Sequence, residues 1–195
     1  MNLINLWGTT RKDAHDALNR MQLTMDACRT MRTPFMATIL DAAGCFDQSR
    51  PNAIVLSHRK MGMPAQMTVS QATTQTRMAH HIKTTHGVSK NAIERTASNN
   101  IARWSQGNGE GVAACNDQTE VQMKVFEGNT AGFTLQSPNG SDNLKKYGPH
   151  FIDDVNLLHA FPHDVTPAEV FGTGGNTLQI WQHLLAIGGG GLALP

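Results

Sequence analysis

The sequence predicts an α+β domain, on three observations. Short apolar or alternating runs of strand length occur at residues 35–40, 132–137 and 150–158. Segments of helix length lie between them in mixed order, without the strict strand–helix alternation of a parallel α/β fold. Finally, 195 residues of which 39% are hydrophobic can bury the core of one domain.

Each element has a local cause. Residues 13–31 space Leu18, Met21, Leu23, Met25 and Cys28 in a helix-compatible way, with Asp13 at the start. Thr33-Pro34 ends that helix, because a residue before proline avoids the helical region. The apolar run 35–40 then has the length of a buried strand and ends at Asp41. After Arg50-Pro51 the spacing predicts a helix over 52–60, a break at Gly62-Met63-Pro64 and a second helix over 65–82. A glycine-rich turn at 107–111 opens a helix over 112–126. Residues 132–137 alternate as a strand, 138–141 carry turn chemistry, and 150–158 are strand-like on both sides of Asp153-Asp154, which places two acids at a hairpin tip. Residues 176–187 set Leu178, Trp181, Leu184 and Leu185 on one helical face before the glycines at 188–191 end it. Residues 192–195 read as an element cut short, and no internal repeat is visible.

Charge and composition narrow the function classes. Sixteen Lys and Arg against fifteen Asp and Glu give +1, so no overall basic field advertises a nucleic-acid partner. No apolar run approaches the roughly 20 residues that cross a bilayer, and no leader pattern follows Met1. The expectation is a soluble intracellular protein, of cytoplasm or nucleus, with no membrane partner. Cys28, Cys45 and Cys115 lack paired short spacing, so reduced thiols are expected rather than a disulfide framework or a cysteine zinc site. His80, His81, His86 and His150 accompany no H-E-x-x-H or Cys/His ligand set and are expected as surface or helix-face residues. The ten methionines read as core filler, Trp104 and Trp181 as packing residues. No pattern fixes an oligomeric state.

The acids carry the chemistry. Asp41-Ala42-Ala43-Gly44-Cys45-Phe46-Asp47 sets two carboxylates around a small-residue turn after an apolar strand, where a hard cation such as Mg²⁺ can be held. Phe151-Ile152-Asp153-Asp154 sets adjacent carboxylates among apolar neighbours, a costly placement unless a cation or hydrogen bonds compensate it. Two such cations about 4 Å apart can activate an attacking hydroxyl and stabilise a departing pyrophosphate, and phosphoryl transfer asks for little beyond that positioning. Taken alone, each acid motif is better served by ordinary turn and N-cap chemistry. Gln106-Gly107-Asn108-Gly109-Glu110-Gly111 could let a phosphate approach the backbone, although it lacks the P-loop lysine and the dinucleotide-binding glycine spacing.

The order of these parts resembles the palm of reverse transcriptases. Asp41, Phe46 and Asp47 are similar to that family's first motif, Gln106-Gly107 opening a helix to its second, and Phe151 to Asp154 to its third. The family often has Ser-Pro where this chain continues Gly111-Val112. Together with Trp181 to Leu194, the wording is most similar to retrotransposon-derived enzymes of eukaryotic algae, from about Thr33 to Leu194.

The resemblance implies a right-hand polymerase palm, an antiparallel sheet with helices packed on one face, plus partial fingers helices. It implies an N-terminal helical remnant of the fingers at 1–33 and a palm core at 34–195, with a fingers insertion at about 48–103 and truncation before primer grip and thumb. The implied activity is RNA-directed DNA polymerisation on a primed RNA or DNA template with deoxynucleoside triphosphates and Mg²⁺ or Mn²⁺. Asp41 and Asp153 would hold the metal, Asp154 would support them, Phe46 would exclude a ribose 2′-hydroxyl, and Gln106 and Gly107 would position template and nucleotide. The missing basic parts imply weak nucleic-acid affinity and no polymerisation by this chain alone. An inactive retroelement remnant and an unrelated α+β domain with structural turn acids are the alternatives.

Overall fold

Local chemistry sets the boundaries of the first elements. In the computed structural model, which describes residues 14–43, 49–93, 111–137, 139–148, 150–151 and 154–192, helix α1 spans Ala14–Met31. It closes where Arg32 takes a left-handed φ of 51° and the Thr33 N–H donates to the Cys28 carbonyl at 2.9 Å. Strand β1 follows at Phe35–Ala43, two residues longer than the predicted end at Asp41. Helix α2, Pro51–Lys60, starts on a proline whose fixed φ suits the first helical position. Helix α3 covers Ala65–Arg77.

The helix expected to reach residue 82 therefore stops early. Three threonines, Thr73, Thr74 and Thr76, weaken its last turns through their stiff β-branched side chains. Met78 is extended, His80 bridges Ile93, and strands β2, Lys83–Thr84, and β3, Gly87–Val88, form a small antiparallel ribbon.

Helix α4, Gly111–Asn129, is followed by β4, Phe133–Gln136, paired antiparallel with β5, Asn143–Lys146, a strand absent from the sequence reading. Strands β6, His150–Phe151, and β7, Asp154–Ala160, form the expected hairpin, with Asp154 as the first residue of β7. Helix α5, Pro167–Gly188, begins nine residues before the expected start at 176. A capping box explains it: the Glu169 N–H donates to Thr166 Oγ1 at 3.3 Å while the Thr166 N–H donates to Glu169 Oε2 at 2.8 Å. Gly189, at φ 102°, ends the helix, and β8, Gly191–Leu192, returns to β1.

The described residues thus form an α+β architecture of five helices and small antiparallel sheets. The main sheet has the order β6-β7-β1-β8 and is antiparallel throughout. On one face Leu40, Ala42, Val155 and Leu157 pack against Met123 and Phe126 of α4 and Trp181 and Leu185 of α5. The Phe126 and Trp181 rings meet edge to face at 5.9 Å. Trp181 is thus the packing residue expected of it, whereas Trp104 lies outside the described residues. On the opposite face the described residues cover one end of the sheet. There Phe133 of β4 and Cys28 and Met21 of α1 pack with Phe35, Ala37, Leu158 and Ala160.

The cysteine expectation is corrected in part. Cys28 is a free buried thiol, but Cys115 is disulfide-bonded. Burial at 2% exposure brings Cys115 into a packed interior where proximity, not sequence spacing, decides pairing. No helix among the described residues is long and apolar enough to cross a membrane.

Candidate functional site

Alternation along β1 decides where Asp41 points. Leu40 and Ala42 are buried on the helix-covered face, whereas Ile39 is 75% exposed and Asp41 is also exposed. Because side chains of a strand alternate, Ile39 and Asp41 share the opposite face. The register of the β1–β7 pair sets Ile39 opposite Asn156 and Asp41 opposite Asp154, and directly opposed residues project to the same side. Asp154 is exposed as well, while its neighbour Val155 is buried. Asp41 and Asp154 therefore stand side by side on the end of the open face that α1 and β4 leave bare.

Asp154 owes its place to the hairpin. Phe151 of β6 pairs with Asp154 of β7, and His150 with Val155, which fixes Asp154 at the start of the strand beside β1. Of the acids picked from the sequence, Asp41 and Asp154 are brought together. Asp153, expected as the second metal ligand, lies outside the described residues, as do Phe46, Asp47, Gln106 and Gly107. Two like charges in direct cross-strand opposition repel, and a hard divalent cation shared between their oxygens relieves that repulsion. The donor set thus fits Mg²⁺ or Mn²⁺ chemically, with two carboxylates from separate strands. No described group of three or more His, Cys, Asp or Glu side chains is arranged to hold a metal ion.

Behind the sheet lies a polar interior that the sequence reading passed over. His58 of α2 is buried at 3% exposure, its Nδ1 3.1 Å from Gln71 Oε1 of α3 and its Nε2 3.5 Å from Asp117 Oδ2 of α4. Burial raises the Asp117 carboxyl above its ordinary range, and the His58 charge opposes the rise. Glu120, at 2% exposure, is raised by burial too, with Lys124 Nζ 3.3 Å away pulling it back. On β7, the buried His159 Nε2 lies 2.9 Å from Thr177 Oγ1 of α5, and desolvation holds its imidazole below the usual histidine range. These groups sit on the helix side of the sheet, so they pin α2, α4 and α5 rather than face the acid pair. The run Asn116 to Gln122 reads as a solvated helix face, which is why pattern alone missed it.

His81 and His86 are exposed on the β2–β3 ribbon, and His80 is half-buried at its bridge; none lies on a helix. A scan against protein-family models finds no match to this chain, and a search of curated proteins finds none.

Proposed function

We propose that this chain is the palm core of an RNA-directed DNA polymerase, with Asp41 and the Asp153-Asp154 hairpin as its metal-holding centre. One observation carries the reading: Asp41 and Asp154 oppose each other in register on the open face of an antiparallel sheet whose other face is backed by helices. The polymerase-palm motif order in the sequence and this placement are independent, since the motifs fix residue types and only the register fixes which face they share. On this reading the residues act mostly by position. The β1 and β7 backbones hold Asp41 and Asp154 at a fixed spacing, and exposure leaves room for a triphosphate and a primer end. Mg²⁺, when bound there, would lower the barrier to 3′-hydroxyl attack and stabilise the leaving pyrophosphate. Template, primer and deoxynucleoside triphosphates are the proposed partners, and Phe46, Gln106 and Gly107 keep the substrate-contacting roles the resemblance gives them.

The test is Mn²⁺ titration by calorimetry of the wild type, Asp41→Asn and Asp154→Asn. Saturable binding in the wild type that is lost in both variants is expected. Equal affinity in all three proteins removes the metal centre and favours acids that serve only the turns.

A further inference from the structure

The near-neutral charge of the chain conceals a strong segregation. Residues 49–93 hold six of its sixteen Lys and Arg and none of its fifteen Asp and Glu, leaving ten cations against fifteen acids elsewhere. All six cations, Arg50, Arg59, Lys60, Arg77, Lys83 and Lys90, are exposed, and among the described residues none of them is in an ion pair. The inner side of this lobe docks on the sheet's helix layer, with Ile54 packed on Ala114 and His58 reaching Asp117.

Helix chemistry explains part of the pattern but not all of it. Arg59, Lys60 and Arg77 occupy the last turns of α2 and α3, where the helix dipole favours cations. Lys83 and Lys90 have no such excuse. Lys83 lies on the β2–β3 ribbon and Lys90 just beyond it, in a segment ordered by the Ser89 N–H donating to the Ile82 carbonyl at 2.8 Å and the Ile82 N–H donating to Ser89 Oγ at 3.0 Å. Thr85 adds an exposed hydroxyl at its tip, whereas the Thr84 hydroxyl is spent within the turn, donating to the Gly87 carbonyl and accepting from the His86 N–H.

We infer that this acid-free ribbon is a clamp for the phosphodiester backbone of a nucleic-acid strand, with Lys83 and Lys90 as its phosphate contacts. Cations without interleaved carboxylates attract a polyanion through released counterions and read no sequence. Residues 49–93 contain no Phe, Trp or Tyr, so the lobe offers neither a base-stacking platform nor the aromatic anchors of a membrane interface. The choice of a nucleic-acid strand over another polyanion rests on the polymerase reading, but the binding itself needs no metal.

The experiment is fluorescence anisotropy of a labelled single-stranded oligothymidine with the full chain in EDTA, titrated with salt. Lys83→Gln/Lys90→Gln is compared with Arg29→Gln/Lys145→Gln, which removes the same charge from two other exposed sites. Each lost phosphate contact on a single strand flattens the log K against log salt slope by about 0.7, so the ribbon variant should lose about 1.4 and the control far less. Equal slopes in the two variants, or equal lysine-dependent binding of polyglutamate or of anionic phospholipid vesicles, overturn the inference. Because EDTA removes any metal, a failed Mn²⁺ titration and a failed strand titration are separate results.

Discussion

Replacing Asp41 by asparagine separates a metal-holding pair from a pair of structural acids through the sign of its effect on stability. Directly opposed positions on antiparallel strands set Cβ atoms about 4.5–5.5 Å apart, and like charges there cost on the order of 0.2–1 kcal/mol. Both acids are exposed, so salt and water hold the repulsion to the lower part of that range, about 0.5 kcal/mol. Asp41→Asn should therefore raise the melting temperature of the metal-free protein by about 1–2 °C, given about 2–4 °C per kcal/mol for a chain of this size. With Mg²⁺ the order reverses. A cation present at a hundred times its Kd adds about 2.7 kcal/mol to the wild type, roughly 5–10 °C, and little to the variant. The assay is differential scanning calorimetry in EDTA and in excess Mg²⁺. A variant that melts lower than the wild type without metal would refute the reasoning, because it would mean that the Asp41 carboxylate makes stabilising hydrogen bonds in the native fold. So would a wild type indifferent to Mg²⁺.

Other expectations follow from the buried interior. Burial holds the His159 imidazole below the unfolded value of about 6.5, so the unfolded chain takes up this proton first. Its stability contribution is full above about pH 6.5 and is lost as pH falls toward the folded value, with a slope of up to about 1.4 kcal/mol per pH unit; urea midpoints against pH should flatten in His159→Gln, and an unchanged slope contradicts the assignment. Gly148 has φ 146°, and a Cβ there would run into the Asn156 carbonyl of β7. Gly148→Ala should cost on the order of 3 kcal/mol, whereas Gly128→Ala, inside α4 with no atom within 4 Å of the new methyl, should gain up to about 1 kcal/mol; chemical denaturation of the two variants checks the contrast.

What the sequence discloses is sorted by range. Strands β1 and β7 are legible because their apolar runs are local, and α2 because Pro51 and the break at Gly62-Met63-Pro64 frame it. The first half of α5 is not, since Gly172, Gly174 and Gly175 argue against a helix by intrinsic propensity. At one of them a tertiary contact enters: a Cβ on Gly174 would stand 3.2 Å from Met36 Sδ of β1, a tight contact with the end of a flexible side chain. The strand β5 is hidden for the opposite reason, as Asn143 to Lys146 carries little apolar content and is held by its partner β4. The polar stretch of α4 is misleading because its burial comes from α2 and from the end of α5, where Gln122 Nε2 donates to the Leu184 carbonyl at 2.8 Å, and no local pattern announces either.

The acid pair itself depends on a quantity no motif contains. A slip of one residue between β1 and β7 would carry one strand's whole side-chain set to the other face. Such a slip would pull either Leu40 and Ala42, or Val155 and Leu157, out of the cluster around Phe126 and Trp181. Burying a side chain of this size contributes about 1.5–3 kcal/mol, so the core locks the register far more firmly than any interaction of exposed carboxylates could. The position of Asp41 against Asp154 is thus imposed from the opposite side of the sheet. Acids that merely cap turns gain nothing from opposing each other across a ladder, and pay a little repulsion for it. A shared cation turns that arrangement from a cost into a binding site, which is why the metal-dependent reversal of stability in Asp41→Asn is the measurement that distinguishes the two.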